Sequence, residues 1–143
     1  MSRRDTRELV LKTLYAFEIE KGDPLRQLKY IEQEPEMVGV EEASLNKYLK
    51  GIEDEYAKTL TKGVLEHKEE LDLYISDHAK NWDLDRIGIS EKNIIRIALY
   101  EMDYEGLNPA IAINEALEIT KGYGNEDSSK FINGILGSKV RNL

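Results

Sequence analysis

Residues 90–102, Ser90-Glu91-Lys92-Asn93-Ile94-Ile95-Arg96-Ile97-Ala98-Leu99-Tyr100-Glu101-Met102, decide the fold class. Ile94, Ile95, Ala98, Leu99 and Met102 return at spacings of three and four, the period that brings side chains to one face of an α-helix. Clean alternation of apolar and polar residues, which a half-buried strand needs, is absent here and elsewhere in the chain. Ser90 is expected to cap this helix, with Glu91 in its first turn where unpaired backbone N–H groups favour a carboxylate. Gly106 is expected to end it.

The same period extends in both directions. A first helix is expected over residues 3–20, with Val10, Leu11, Leu14 and Phe17 as its apolar stripe and Gly22 as its stop. Asp23 then caps a short helix that opens on Pro24 and buries Leu25, Leu28 and Ile31. Residues 34–42, with Pro35 and Gly39, read as a loop. Ser44 caps a further helix carrying Leu45, Tyr48, Leu49 and Ile52, and the pattern runs on through Tyr56, Leu60, Val64, His67, Leu71 and Ile75, with a break expected near Glu53. After a connector at Asn81–Gly88 and the helix quoted above, Pro109 opens a helix to about Lys121, Gly122-Tyr123-Gly124 breaks it, and Asp127 or Ser128 caps the last, with Phe131, Ile132, Ile135 and Leu136 inside. The expected fold is all-α, a compact bundle of about seven helices joined by short connections.

The 143 residues suit one domain or two small, intimately packed halves. No stretch approaches the ~18 uncharged apolar residues needed to cross a membrane, and the start, Met1-Ser2-Arg3-Arg4-Asp5, does not read as a signal peptide. Cysteine is absent, which removes disulfides, thiolate metal sites and cysteine nucleophiles and fits a reducing cytoplasm. The net charge of −8 argues against nucleic acid, but its distribution does not. Arg3, Arg4, Arg7 and Lys12 crowd the first twelve residues, Lys130, Lys139 and Arg141 the last sixteen, and the acids gather between. If the first and last helices pack together, the two basic ends form one positive patch on an acidic body.

Catalytic motifs are missing. There is no G-x-x-x-x-G-K-[ST] and no G-x-G-x-x-G to cradle a phosphate. His67 and His78 lie eleven residues apart, about 16 Å on one helix and too far for one metal. His67 reads as a partly buried structural residue and His78 as a surface one. Glu101, Asp103 and Glu105 read as a solvated face, and no carboxylate has an obvious partner in an apolar setting that would tune it for chemistry. Gly134 and Gly137 read as points of close helix packing. No enzymatic activity, metal, cofactor or small-molecule substrate is expected.

On a helical wheel Arg3, Arg4 and Arg7 share an arc of ~100°, which continues into the stripe of Val10, Leu11 and Leu14. Burying three guanidinium groups unpaired is prohibitive. Those turns therefore overhang the core, meet carboxylates, or meet a phosphate backbone, for which the planar fork of arginine is suited. An ordinary charged N-terminus also satisfies this pattern.

From Trp82 onward the sequence resembles a known family. Trp82-Asp83-Leu84-Asp85-Arg86-Ile87, Ile95-Arg96-Ile97-Ala98-Leu99-Tyr100-Glu101, Ala112-Ile113-Asn114-Glu115-Ala116 with Lys121, and Ser129-Lys130-Phe131-Ile132-Asn133-Gly134-Ile135-Leu136 are similar to the C-terminal signature of the NusB family of transcription antitermination factors. The arginine-rich opening leading to Leu14-Tyr15 matches that family's N-terminus. The likeness spans nearly the whole chain and is least over residues 32–55.

The resemblance implies an all-helical fold of two packed subdomains, about residues 1–80 and about 81–143, acting as one RNA-binding domain. It implies binding to the boxA RNA element of ribosomal RNA leaders, together with ribosomal protein NusE, on the elongating RNA polymerase. It points to Arg3, Arg4 and Arg7 as RNA contacts, to Asp127, Lys130 and Phe131 on a last helix lying beside the first, and to Tyr15 and Glu91 as the NusE surface. The arginine run is interrupted here by Asp5. Phe131 stays open to two readings, core residue or platform for an unpaired base, and Asn114-Glu115 reads as a structural tie at a helix start. Two other readings are a helical protein-binding scaffold without an RNA role, which pI ≈ 4.9 favours, and a stand-alone counterpart of the N-terminal domain of ribosomal RNA cytosine methyltransferases.

Overall fold

The period read from the sequence is realised as helices throughout the residues that the structure, a computed structural model, describes: 2–22, 54–80, 82, 87–124 and 126–141. In chain order these are α1 (Arg3–Gly22), α2 (Glu55–Glu66), α3 (Lys68–Asp77), α4 (Ile89–Tyr104), α5 (Pro109–Tyr123) and α6 (Glu126–Arg141). No strand occurs among the described residues, so the chain is all-α. The short helix expected at Asp23, the loop at 34–42 and the helix expected from Ser44 lie outside the described residues.

Local chemistry explains the helix ends. At the start of α1 the Ser2 hydroxyl accepts from the Asp5 backbone N–H at 3.0 Å, and the Asp5 carboxylate accepts from the Ser2 N–H at 3.4 Å. This reciprocal pair satisfies donors that the first turn leaves unpaired, so the acid that interrupts the arginine run serves the helix start. Asp54 caps α2 by accepting from the Ala57 N–H at 3.0 Å. The long pattern through Ile75 breaks a second time, at His67, between α2 and α3. Gly106, at φ 69°, turns the chain out of α4, a conformation that costs glycine little. Asn108 then caps α5, and Pro109 follows at its first position.

Two expected caps are corrected. The N-cap of α4 is Gly88, and Ser90 lies inside the first turn with Glu91. α6 begins at Glu126, so Asp127 and Ser128 also lie within the helix. Side-chain oxygens mark where a helix start is favoured, but the register of the apolar stripe sets the boundary.

Helix α4 is the centre of the bundle. Every residue from Asn93 to Glu101 is buried, and a helix covered on all sides must be surrounded by others. It packs against α1, α2, α3, α5 and α6. Val10, Leu11 and Leu14 of α1, Leu60 and Val64 of α2, Ile95 and Leu99 of α4, and Ile132, Ile135 and Leu136 of α6 are each at most 2% exposed. Each such aliphatic side chain stabilises the fold by roughly 1.5–3 kcal/mol. Three polar residues of α4 share this interior, and each is paired. Arg96 forks Asp72 of α3 at 2.6 and 3.1 Å and reaches Asn93 at 2.8 Å. Asn93 donates to Glu18 of α1 at 3.3 Å, and Glu101 is held by α1. Glu101 is 1% exposed, which overturns its reading as part of a solvated face. Asp103 lies outside the core, where Lys139 of α6 bonds it at 2.9 Å.

The helix directions follow from these pairs. Residues 7 and 18 of α1 meet residues 101 and 93 of α4, so the two run antiparallel. Residues 128 and 139 of α6 meet residues 91 and 103, so α4 and α6 run parallel. The close helix approach expected at Gly134 is absent: a Cβ there meets open space, and one at Gly137 meets only the guanidinium end of Arg141. It occurs instead at Gly63 of α2, where a Cβ would overlap the Tyr100 ring. No described helix is long and apolar enough to cross a membrane.

Candidate nucleic-acid interface

The first two turns of α1 carry three arginines with three different fates. Arg7 points into the core. Its Nε and Nη2 groups donate to the Glu101 carboxylate at 2.7 and 2.9 Å, and the Tyr56 hydroxyl donates to the same carboxylate at 2.8 Å. Arg4 lies at the surface and forks Glu115 of α5, with Nε and Nη2 each at 3.0 Å. Arg3 lays its guanidinium over the Tyr56 ring, 3.6 Å from the centroid, an arrangement in which the ring's negative face attracts the cation. Thr6 between them donates to Asp54 at 2.8 Å, tying α1 to the cap of α2.

Electrostatics run through the whole set. Burial opposes the charge on Arg7, but the hydrogen bonds and field of Glu101, with Glu115 beyond, outweigh it and raise its pKa. The hydrogen bonds from Arg4 lower the Glu115 carboxyl below its ordinary range, and Glu115 in turn raises Arg4. Burial pushes the Tyr56 hydroxyl well up, reinforced by the Glu101 carboxylate it bonds. The Thr6 hydroxyl and then the Ala57 N–H hold Asp54 low. Of the three outcomes open to these turns, meeting carboxylates is the one that Arg4 and Arg7 realise. Arg7 is 6% exposed and cannot reach a phosphate without leaving a buried carboxylate unpaired. Arg3 and Arg4 are exposed.

The structure keeps the two basic ends apart by face as well as by level: Lys139, level with Arg7, bonds Asp103 and lies over the Tyr74 ring, about 200° around α4 from Glu101. α6 packs on α4 and α5, not extensively on α1. Ser128 of α6 donates to Glu91 at 2.9 Å, whereas Arg7 meets Glu101. Ten residues of α4 separate these levels, about 15 Å. Asp127, Lys130 and Phe131 thus sit near the end of α4 opposite Arg3, Arg4 and Arg7. Asp127 and Lys130 are exposed. Phe131 is 2% exposed with its ring edge-on to Trp82 at 5.3 Å, so its faces are taken by core contacts and the core reading describes its position.

Tyr15 is 45% exposed beside Leu14 at 2%. Its neighbour one turn on, Glu18, contacts Asn93 and Arg96, which places Tyr15 toward the same end of α4 as Glu91. Glu91 is half-buried and bonded to Ser128. His67 stacks on Tyr104 with ring centroids 4.1 Å apart and pairs with Glu70 at 3.0 Å, while exposed His78 stacks on Tyr74. Among the described residues no three acidic or histidine side chains converge as a metal site.

Sequence reasoning missed Glu101 and Tyr56. A signal for Glu101 existed: it follows Ile94, Ile97 and Ala98 by seven, four and three residues, which puts it on the buried stripe. Glu115 reads from the sequence as a structural tie at a helix start; it lies instead in the middle of α5, where it joins that helix to α1 through Arg4 and lies 3.7 Å from Arg7.

The chain matches the NusB family over residues 4–141. It is 37% identical to the transcription antitermination protein NusB of a Nitratiruptor species, covering 99% of this chain and 94% of that one. Its fold superposes on NusB of T. maritima with a TM-score of 0.72 at 29% identity, covering 99% of this chain and 92% of that one. It also superposes on a chain from a crystal structure of the antitermination factors NusB and NusE in complex with double-stranded RNA, with a TM-score of 0.70 at 23% identity and 99% and 97% covered, a likeness of fold. This all-helical chain, built around α4 with an arginine-bearing first helix, belongs to the NusB family of non-enzymatic transcription antitermination factors.

Proposed function

We propose that this chain is an RNA-binding adaptor that reads boxA-type RNA of ribosomal RNA leaders together with ribosomal protein NusE, on the elongating RNA polymerase in the cytoplasm. The whole chain acts as one RNA-binding domain with helical halves of about residues 1–80 and about 81–143. The observation that carries this reading is the exposure of Arg3 and Arg4 on the first turn of α1 in a chain of the NusB family, a family one of whose folds is known from a complex of NusB, NusE and RNA. Arg3 and Arg4 supply phosphate contacts, and Arg7 anchors the helix that carries them. Asp127 and Lys130 form a second RNA-facing element at the far end of α4, with Phe131 beneath them. Tyr15 and Glu91 face NusE.

The body carries a net charge of −8, whose long-range repulsion opposes the local attraction. Affinity for RNA alone is accordingly weak and rises when NusE is present. The test is a titration of boxA RNA and a scrambled strand of equal length, each with and without NusE. Tighter binding of boxA in the presence of NusE supports the reading, and equal affinity for the two strands removes it. The alternative, a helical protein-binding scaffold, draws on the internal pairing of Arg4 and Arg7 with Glu115 and Glu101; it is the outcome in which NusE binds and neither RNA does.

A further inference from the structure

We infer that Glu115 occupies, in the free protein, the seat on Arg4 that an RNA phosphate takes in the complex, and thereby lowers affinity for RNA backbone whatever its sequence. The inference rests on the RNA-binding reading above. Glu115 engages the Nε and Nη2 edge of Arg4 with both oxygens at 3.0 Å. That edge is the one on which a guanidinium grips a phosphate with two parallel hydrogen bonds, so carboxylate and phosphate exclude one another there. The pair is open to exchange, with side chains 47% and 21% exposed, whereas Arg7 and Glu101 at 8% and 1% are not.

The neighbourhood makes the exchange inexpensive. Arg7 Nη1 lies 3.7 Å from the same Glu115 oxygen that Arg4 Nε bonds. When Arg4 turns to a phosphate, Glu115 therefore keeps a positive neighbour and is not left as an unpaired, half-buried charge. Phosphate contacts position a protein without reading bases, so the penalty falls equally on every RNA strand. What remains to favour boxA is contact with its bases and with the protein partner.

The test is the full chain carrying Glu115→Gln, titrated with boxA RNA and with a scrambled strand across a salt series, with and without NusE. Affinity for both strands is expected to rise by about fivefold, the scale of an exposed ion pair. The slope of log affinity against log salt is expected to change by less than about 0.7, the value for one phosphate on a single strand, because the Arg4 contact forms in both complexes. On an Arg4→Ala background the gain is expected to vanish. Glu69→Gln, which removes an equal charge from an exposed site on α3, is expected to give little gain, separating the local effect from net charge. Glu115→Asp keeps a carboxylate beside Arg7 but withdraws it from Arg4 by one methylene, and gives a smaller gain should the glutamine variant not fold. Unchanged or weaker binding by the Glu115 variants, a gain that survives Arg4→Ala, or an equal gain from Glu69→Gln overturns the inference while leaving RNA binding intact. Absence of RNA binding by the unaltered chain even with NusE overturns both.

Discussion

Arg7 and Glu101, 94 residues apart in the chain, close a two-pronged ion pair at 2.7 and 2.9 Å with both side chains more than nine-tenths buried. The pair pins the N-terminal turns of α1 to the C-terminal turns of α4. Removing one member strands a buried charge, which costs ~3–5 kcal/mol. Arg7→Ala is therefore expected to lower unfolding stability by about 3 kcal/mol, while Arg4→Ala leaves it nearly unchanged. Urea unfolding of the two variants decides the matter. A wild-type midpoint for Arg7→Ala would return that residue to the set available for phosphate.

A second expectation concerns acid. Arg4 lowers the Glu115 carboxyl from its ordinary 4.5, and Thr6 lowers Asp54 from 3.8. A group titrating lower in the folded chain than in the unfolded one binds fewer protons when folded, so stability falls with pH through that interval. The contribution of Glu115 is complete above 4.5 and is lost as pH drops through its lower folded value. Glu115→Gln is expected to flatten the decline of the melting temperature in that window and to leave the dependence above it unaltered. Parallel curves for the two proteins throughout the acid range would show that the carboxyl titrates at its ordinary value.

The approach of α2 to α4 supplies a third. A methyl group at Gly63 overlaps the buried Tyr100 ring, which itself stacks against Tyr104 with centroids 5.2 Å apart. Overpacking of this kind costs ~1–3 kcal/mol, against the roughly 1 kcal/mol that alanine gains over glycine within a helix. Gly63→Ala is expected to destabilise the chain, and Gly134→Ala, facing open space, to stabilise it slightly. Thermal melts that show the reverse order would displace Gly63 from the helix contact.

The fourth concerns the proposed NusE surface. Tyr15 is exposed, while its core neighbour Leu14 is fully covered, so Tyr15→Ala is expected to preserve the melting temperature and to weaken NusE binding about tenfold, the lower range for truncating an aromatic contact. Glu91 is also bound to Ser128, so Glu91→Gln, which keeps a hydrogen-bond acceptor, is the informative change there. Calorimetric titration with NusE is the measurement. Wild-type affinity in both variants would move the partner surface elsewhere, and loss of NusE binding with RNA binding retained would show two separable surfaces.

Helix identity was legible in residue spacing because an amphipathic helix writes its buried face at intervals of three and four. Val10, Leu11 and Leu14 in α1 and Ile132, Ile135 and Leu136 in α6 were expected inside and are. Family membership was legible too, from four ordered blocks between Trp82 and Leu136. Arg7 stood on the stripe of Leu11 and Leu14, and Glu101 on that of Ile94 and Ala98, so each carried a buried address. Neither spacing names a partner, because a stripe states that a residue is covered and not by what.

Tertiary structure alone decided the rest. Whether an arginine meets water, a phosphate or a carboxylate depends on which helix crosses it, and α4 brings Glu101 to Arg7 while α5 brings Glu115 to Arg4. Whether two basic ends make one patch depends on helix direction and face: the parallel run of α4 and α6 places residues 127–131 at the far end from residues 3–7, and Lys139, level with Arg7, bonds Asp103 on the opposite side of α4 from Glu101. Side-chain chemistry is written locally, whereas which charges come within bonding distance is settled by packing.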